Sequence, residues 1–84
     1  MEKKDLLLEI VSPTTHQTKK VEWIEVESPT GNFMVAPGHS SLVSIIKKRG
    51  RVVYKKKDEG EDFIDASGGI FKISHGKATI LLDT

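Results

Sequence analysis

Turn-forming residues cut most of this sequence into pieces of strand length. Ser12-Pro13, Ser28-Pro29-Thr30-Gly31, Pro37-Gly38, Asp58-Glu59-Gly60, Ser67-Gly68-Gly69 and Ser74-His75-Gly76 succeed one another with short runs between them. Proline fixes φ and glycine admits positive φ, so each of these breaks a regular element. The runs are Leu6 to Val11, Val21 to Glu27, Phe33 to Ala36, Arg51 to Lys57, Asp62 to Ala66, Ile70 to Ser74 and Lys77 to Leu82. Short strands with a turn signal about every 8–12 residues predict an all-β sandwich or barrel. With 84 residues the chain is read as one domain, 1–84.

The turns carry specific expectations. Pro37 and Gly38 suit positions i+1 and i+2 of a type II turn, and Ser28-Pro29-Thr30-Gly31 suits a type I turn. Ser67-Gly68-Gly69 has the look of a phosphate loop, but Ile70-Phe71 opens a strand after it and not a helix. A tight bend with close backbone approach is the reading it supports. One segment is ambiguous. Ser40 to Gly50 has a serine cap, apolar residues at Leu42, Ile45 and Ile46 and a terminal glycine, which suits a helix. Its β-branched Val43, Ile45 and Ile46 suit a strand equally well.

Charge is balanced overall, at a net +1, but segregated locally. A basic run from Lys47 to Lys57 precedes acidic Asp58, Glu59, Glu61, Asp62 and Asp65. A solvated hairpin with opposite charges on its two strands accounts for this. The alternative is a small β-barrel that binds RNA through Lys47 to Lys57, for which Tyr54 is the one stacking ring in the run.

Chemistry is sparse. His16, His39 and His75 lie in turn-like contexts without ligand spacing, so no metal site is expected. There is no cysteine and no nucleophile elbow, and no acid–base constellation or cofactor motif can be named. The reading is a non-enzyme without cofactor. The N-terminus is too short in apolar residues for a signal peptide, and no run approaches the roughly 20 apolar residues of a membrane helix. Around Trp23 apolar residues occupy both parities of the strand. Either a bulge after Trp23 resets the register or the outer face is covered. Ile24 and Val26 are expected to point inward, with Trp23 outward as a possible interface anchor.

Taken in order, "LEIVSP", "VEWIEVESPTGNFMVAPGHSSLVSII" and "FIDASGGIFKISHGKATILLDT" resemble the N-terminal domain of the epsilon subunit of F-type ATP synthases, whose mitochondrial counterpart is called delta. Pro37-Gly38-His39 with Leu42, placed ahead of Ser67-Gly68-Gly69, is the most specific part. The resemblance implies a flattened β-sandwich in which Leu42 to Ile46 is a strand. It implies a central-stalk subunit that links gamma to the membrane c-ring and turns with them, peripheral to the membrane and without lipid insertion. In a bacterium this is the cytoplasmic face of the plasma membrane. By position, Thr30, Gly31, Asn32 and Phe33 match the ring-facing turn. Ser12 and the stretch His39, Ser40, Ser41 to Ser44 match positions against gamma. Pro37, Gly38, Ser67, Gly68 and Gly69 match structural turns. The family usually has a carboxylate where Asn32 stands, glycine at Met34, leucine at Ala36 and proline at Ser41. Most members continue into a C-terminal helical hairpin, which the resemblance leaves out of a sequence ending at Asp83-Thr84.

Overall fold

Alternation of apolar and polar residues builds eight strands, and the computed structural model describes residues 6–83. They are β1 (Leu6–Val11), β2 (His16–Ser28), β3 (Gly31–Val35), β4 (Leu42–Ile46), β5 (Gly50–Lys56), β6 (Glu61–Ala66), β7 (Gly69–Ser74) and β8 (Lys77–Leu82). Along β1 every second residue is buried, placing Leu6, Leu8 and Ile10 in the core. The order is β4-β7-β8-β1-β2-β5-β6, with β3 added to β2. All neighbours are antiparallel except β1 and β8, which run parallel.

Two layers arise because β2 is long enough to serve both. Its first half, His16 to Val21, pairs with β1, and its second half, Ile24 to Ser28, pairs with β3 along that same edge. The single eight-stranded sheet is thereby divided at β2 into a first layer, or sheet, of β4-β7-β8-β1 with the start of β2, and a second of β3 with the end of β2, β5 and β6. The register of β2 against β5 shifts between Val21 and Trp23, leaving Glu22 as the extra residue. Of the two alternatives the sequence offered, a bulge is present, and it falls one position before Trp23 and not after it. Because of it Val21, Ile24 and Val26 all face inward despite their mixed parity.

The core between the layers takes Leu6, Leu8, Ile24, Val26, Val35, Ile46, Val52, Phe71, Ile73 and Ile80 at near-zero exposure. Burying one such side chain contributes about 1.5–3 kcal/mol. The ambiguous segment is a strand over Leu42–Ile46, as the resemblance implied. The hairpin of β5 and β6 brings the segregated charges together. Arg51 Nε is 3.1 Å from Asp65 Oδ1, and Lys56 Nζ is 3.8 Å from Asp62 Oδ2. Among the described residues, no helix is long and apolar enough to cross a membrane.

Candidate functional site

The hairpin joining β2 to β3 is built by its own side chains. Ser28 and Gly31 face each other across a two-residue loop, Pro29-Thr30, and Gly31 adopts φ 139°. Buried Ser28 donates from Oγ to the Gly31 carbonyl at 2.5 Å, which ties the loop to its stem. Thr30, Gly31 and Asn32 are exposed. Phe33 turns inward, as strand alternation requires, and meets Phe71 edge-on at a centroid distance of 5.9 Å. Exposed Met34 shares the outer face with Asn32, so the surface at this tip is Thr30, Gly31, Asn32 and Met34.

The turn after β3 has the expected form. Gly38 has φ 89°, and the His39 amide donates to the Ala36 carbonyl at 3.1 Å, closing a type II turn. The His39 ring lies with Nδ1 2.7 Å from the Ser40 carbonyl. At the bend between β6 and β7, Gly68 has φ 126°. This bend lies beside the β2–β3 turn: Pro29, Ile46, Gly68, Gly69 and Asp83 share one open cleft of about 580 Å³.

The positions matched to gamma do not gather at one point. β4, β8 and β1 run in the same direction, since β7 is antiparallel to both β4 and β8. Ser12 follows the end of β1, whereas His39, Ser40 and Ser41 precede the start of β4, at opposite ends of the first sheet. Ser44 shares the inward face with its partner Phe71. Toward the Ser12 end lies a feature that the sequence reading missed. Ile45 pairs with Ile70, Ile70 with Leu81 and Leu81 with Val11, which forms one apolar row across four strands of the outer face. Ile45 is 64% exposed, Ile70 44% and Leu81 45%, and Val43 beside the row is 68% exposed. Apolar residues on both faces of β4 and β7 were the available signal, and it reads equally as a covered outer face or a buried strand.

Trp23 lies at the bulge on the outer face of the second sheet, opposite Lys55, and is half-buried. On that face Met34, Glu25, Val53 and Phe63 form a cross-strand row, with the Arg51 guanidinium 4.1 Å over the Phe63 ring.

Next to the apolar row stands an ionic cluster centred on Glu9. Its carboxylate lies 2.5 Å from His16 Nε2 and 3.4 Å from Lys77 Nζ, and accepts from Thr79 Oγ1 at 3.4 Å. The His16 bond, with Lys77 behind it, holds the Glu9 carboxyl below its ordinary value of 4.5 against the opposing effect of burial. A carboxyl depressed on folding contributes stability above the ordinary glutamate range, lost as pH falls through its folded value. Urea denaturation across acid pH should therefore show a flatter pH dependence for Glu9→Gln than for the parent chain. Equal slopes would remove Glu9 from the acid response.

The basic run does not form a basic face. Lys47, Lys48 and Arg49 stand before β5, and along β5 Arg51 and Lys55 lie on the outer face while Lys56 lies on the opposite one. Lys55 lies 3.5 Å from Glu22, and Lys56 lies 3.1 Å from Glu59. Tyr54 is 3% exposed, and burial pushes its hydroxyl pKa up, so the ring on which an RNA base would stack is in the core. Among the described residues, no group of three or more potential ligands is placed to hold a metal ion.

The family described as "ATP synthase, Delta/Epsilon chain, beta-sandwich domain" matches residues 5–84. The chain is 34% identical over 67 residues to the ATP synthase epsilon chain of Bordetella parapertussis and, equally, to that of Bordetella bronchiseptica. The match covers 80% of this chain and 47% of each relative, so the chain spans about half the length of these proteins. Among solved structures it superposes with a TM-score of 0.88 on a chain of the Euglena gracilis mitochondrial ATP synthase OSCP/F1/c-ring structure, at 16% identity. That covers 98% of this chain and 52% of the other. A chain of the Tetrahymena thermophila mitochondrial ATP synthase central stalk/c-ring structure gives a TM-score of 0.78 at 9% identity, covering 100% and 67%. At these identities the likeness is one of fold.

Proposed function

We propose, since the chain belongs to the delta/epsilon β-sandwich family of ATP synthases, that it is a non-catalytic rotor component of an F-type enzyme, linking gamma to the c-ring on the central stalk. The observation that carries this is the family match over residues 5–84, nearly the full chain. The part is mechanical: two packed sheets compress little, so torque applied at one surface reappears at another. The bacterial relatives favour the cytoplasmic face of a plasma membrane, reached through the complex and not through lipid.

Two surfaces support the division of labour. The exposed tip Thr30-Gly31-Asn32 faces the polar loops of the ring, and the apolar row Ile45, Ile70, Leu81 and Val11 faces gamma. Exposed rows of this kind on a small domain mark a partner surface. A tagged chain drawn from solubilised membranes should bring gamma and the catalytic hexamer with it. Ile45→Asp and Leu81→Asp should lose gamma while keeping the fold, because both side chains are exposed. Recovery of RNA in place of these subunits would overturn the reading.

Asn32 meets the ring through neutral hydrogen bonds, each worth about 0.5–1.5 kcal/mol. An exposed ion pair in its place would add only about 0.2–1 kcal/mol and would be screened by salt. Asn32→Asp should therefore leave ring association within a few-fold at physiological salt. A tenfold loss in a binding assay would mean that the tip packs against negative charge. Trp23 provides a second readout. Half-buried in the free chain, it should emit at an intermediate wavelength and move to the blue only if its face is covered in the complex. As an interface anchor, Trp23 should cost about 2 kcal/mol of binding or more when truncated to alanine.

A further inference from the structure

We propose that the start of β2 is a docking edge for an acidic, extended polypeptide segment, which would add there as a further strand. The proposal goes beyond the rotor reading and does not depend on it. It rests on two observations, one of backbone and one of charge.

The backbone edge is open. β2 is 13 residues long, but its pairing with β5 ends at Val21 opposite Lys56. In an antiparallel pair, alternate residues direct their N–H and C=O groups toward the partner and away from it. Leu7 donates its N–H to the Gly76 carbonyl just before β8, so Leu7, Glu9 and Val11 direct theirs away from β2. Their opposite numbers Lys20, Thr18 and His16 then direct theirs away from β1. The Lys20 carbonyl uses this direction to accept the Lys57 N–H at 3.1 Å. Beyond it, no strand among the described residues pairs with Thr18 or His16 on that edge. An unpaired edge is a template for another strand, and main-chain bonds of this type hold peptides in known β-augmentation complexes.

Charge selects the partner. An open cleft of about 530 Å³ beside the edge is lined by Lys19, Lys20, Lys56, Lys57, Asp58 and Glu59, four cations against two anions. Lys20 lies on the outer face of β2, and Lys19 lies on the inner face, where its register partner is buried Leu8. Side chains of an added strand alternate between the same two faces. Consecutive carboxylates would therefore meet Lys20 on one side and Lys19 on the other, which suits a run of glutamates or aspartates. Nucleic acid is disfavoured because no aromatic ring lines the cleft.

The test uses the whole chain and a blocked oligoglutamate peptide, followed by amide NMR and hydrogen exchange at low and at physiological salt. Shifts should be confined to His16–Lys20 and Lys56–Glu59, and exchange of the His16 and Thr18 amides should slow. The double substitution Lys19→Glu, Lys20→Glu should weaken binding by about tenfold or more, a loss that added salt reproduces in part. Thr18→Pro, which removes the outward N–H but none of the bonds to β1, should abolish the protection and weaken binding. Protection of no amide would mean diffuse attraction between charges. Shifts spread over every lysine, or no response to either variant, would mean that Lys19 and Lys20 only keep the edge from pairing. Either result overturns the proposal.

Discussion

Phe71→Ala should remove a large share of this domain's stability and leave the chain partly unfolded at moderate temperature. Phe71 has no exposure, lies in β7 between β4 and β8, and supports Phe33 edge-on beneath the β2–β3 hairpin. Emptying such a site loses the transfer free energy of the ring and leaves a cavity, together about 3–5 kcal/mol. A domain of 84 residues holds on the order of 4–13 kcal/mol in total. Urea denaturation should show a midpoint lowered by about a quarter or more with a similar slope. A shift worth under about 1 kcal/mol would mean that Phe33 and its neighbours collapse into the space.

Gly69→Ala should be comparably severe, for a steric reason. Gly69 has φ 157° and pairs on both sides, with Ile46 in β4 and Leu82 in β8. A Cβ there would stand 2.3 Å from the Leu81 carbonyl oxygen, so backbone has to move where no side chain can give way. We expect a loss of about 3 kcal/mol, in the range of backbone strain combined with broken pairing. Gly38→Ala is the control. Its φ of 89° is costly for alanine, yet nothing stands within 4 Å of the added carbon. That change should cost about 1–2 kcal/mol. If the two variants melt alike, approach to Leu81 is not what requires glycine at position 69.

These two glycines were readable in advance because turn chemistry is local. Pro37-Gly38 specifies a type II turn by itself, and Ser67-Gly68-Gly69 announces close approach without saying to what. What the sequence concealed was tertiary. His16 to Lys20 is polar and reads as loop, yet it becomes strand because Leu8 and Ile10 of β1 pair with it and hold its edge. β4 showed both helical and strand patterns because its outward residues, Val43 and Ile45, are as apolar as its inward Ile46. The apolar row was invisible for the same reason, since register across four strands decides which residues align. The tip and the gamma-matched positions came from resemblance alone, and alternation then turned Phe33 away from the surface and left Met34 on it.

The parallel pair of β1 and β8 has a consequence for how the domain is made. Leu7 lies beside Lys77 and Val11 beside Leu81, so the opening strand is completed by the closing one. β7 joins the first sheet only through β8, and β4 only through β7. On the ribosome, hairpins such as β1–β2, β2–β3 and β5–β6 have their partners early, whereas the first sheet must wait for the last strand to emerge. Contacts this distant along the chain place the domain among the slower folders, in the millisecond-to-second range. Until then the nascent chain carries β4 and β7 with unprotected apolar faces. A lesion in β8 will therefore lower the yield of folded protein during synthesis by more than its effect on the finished domain would suggest.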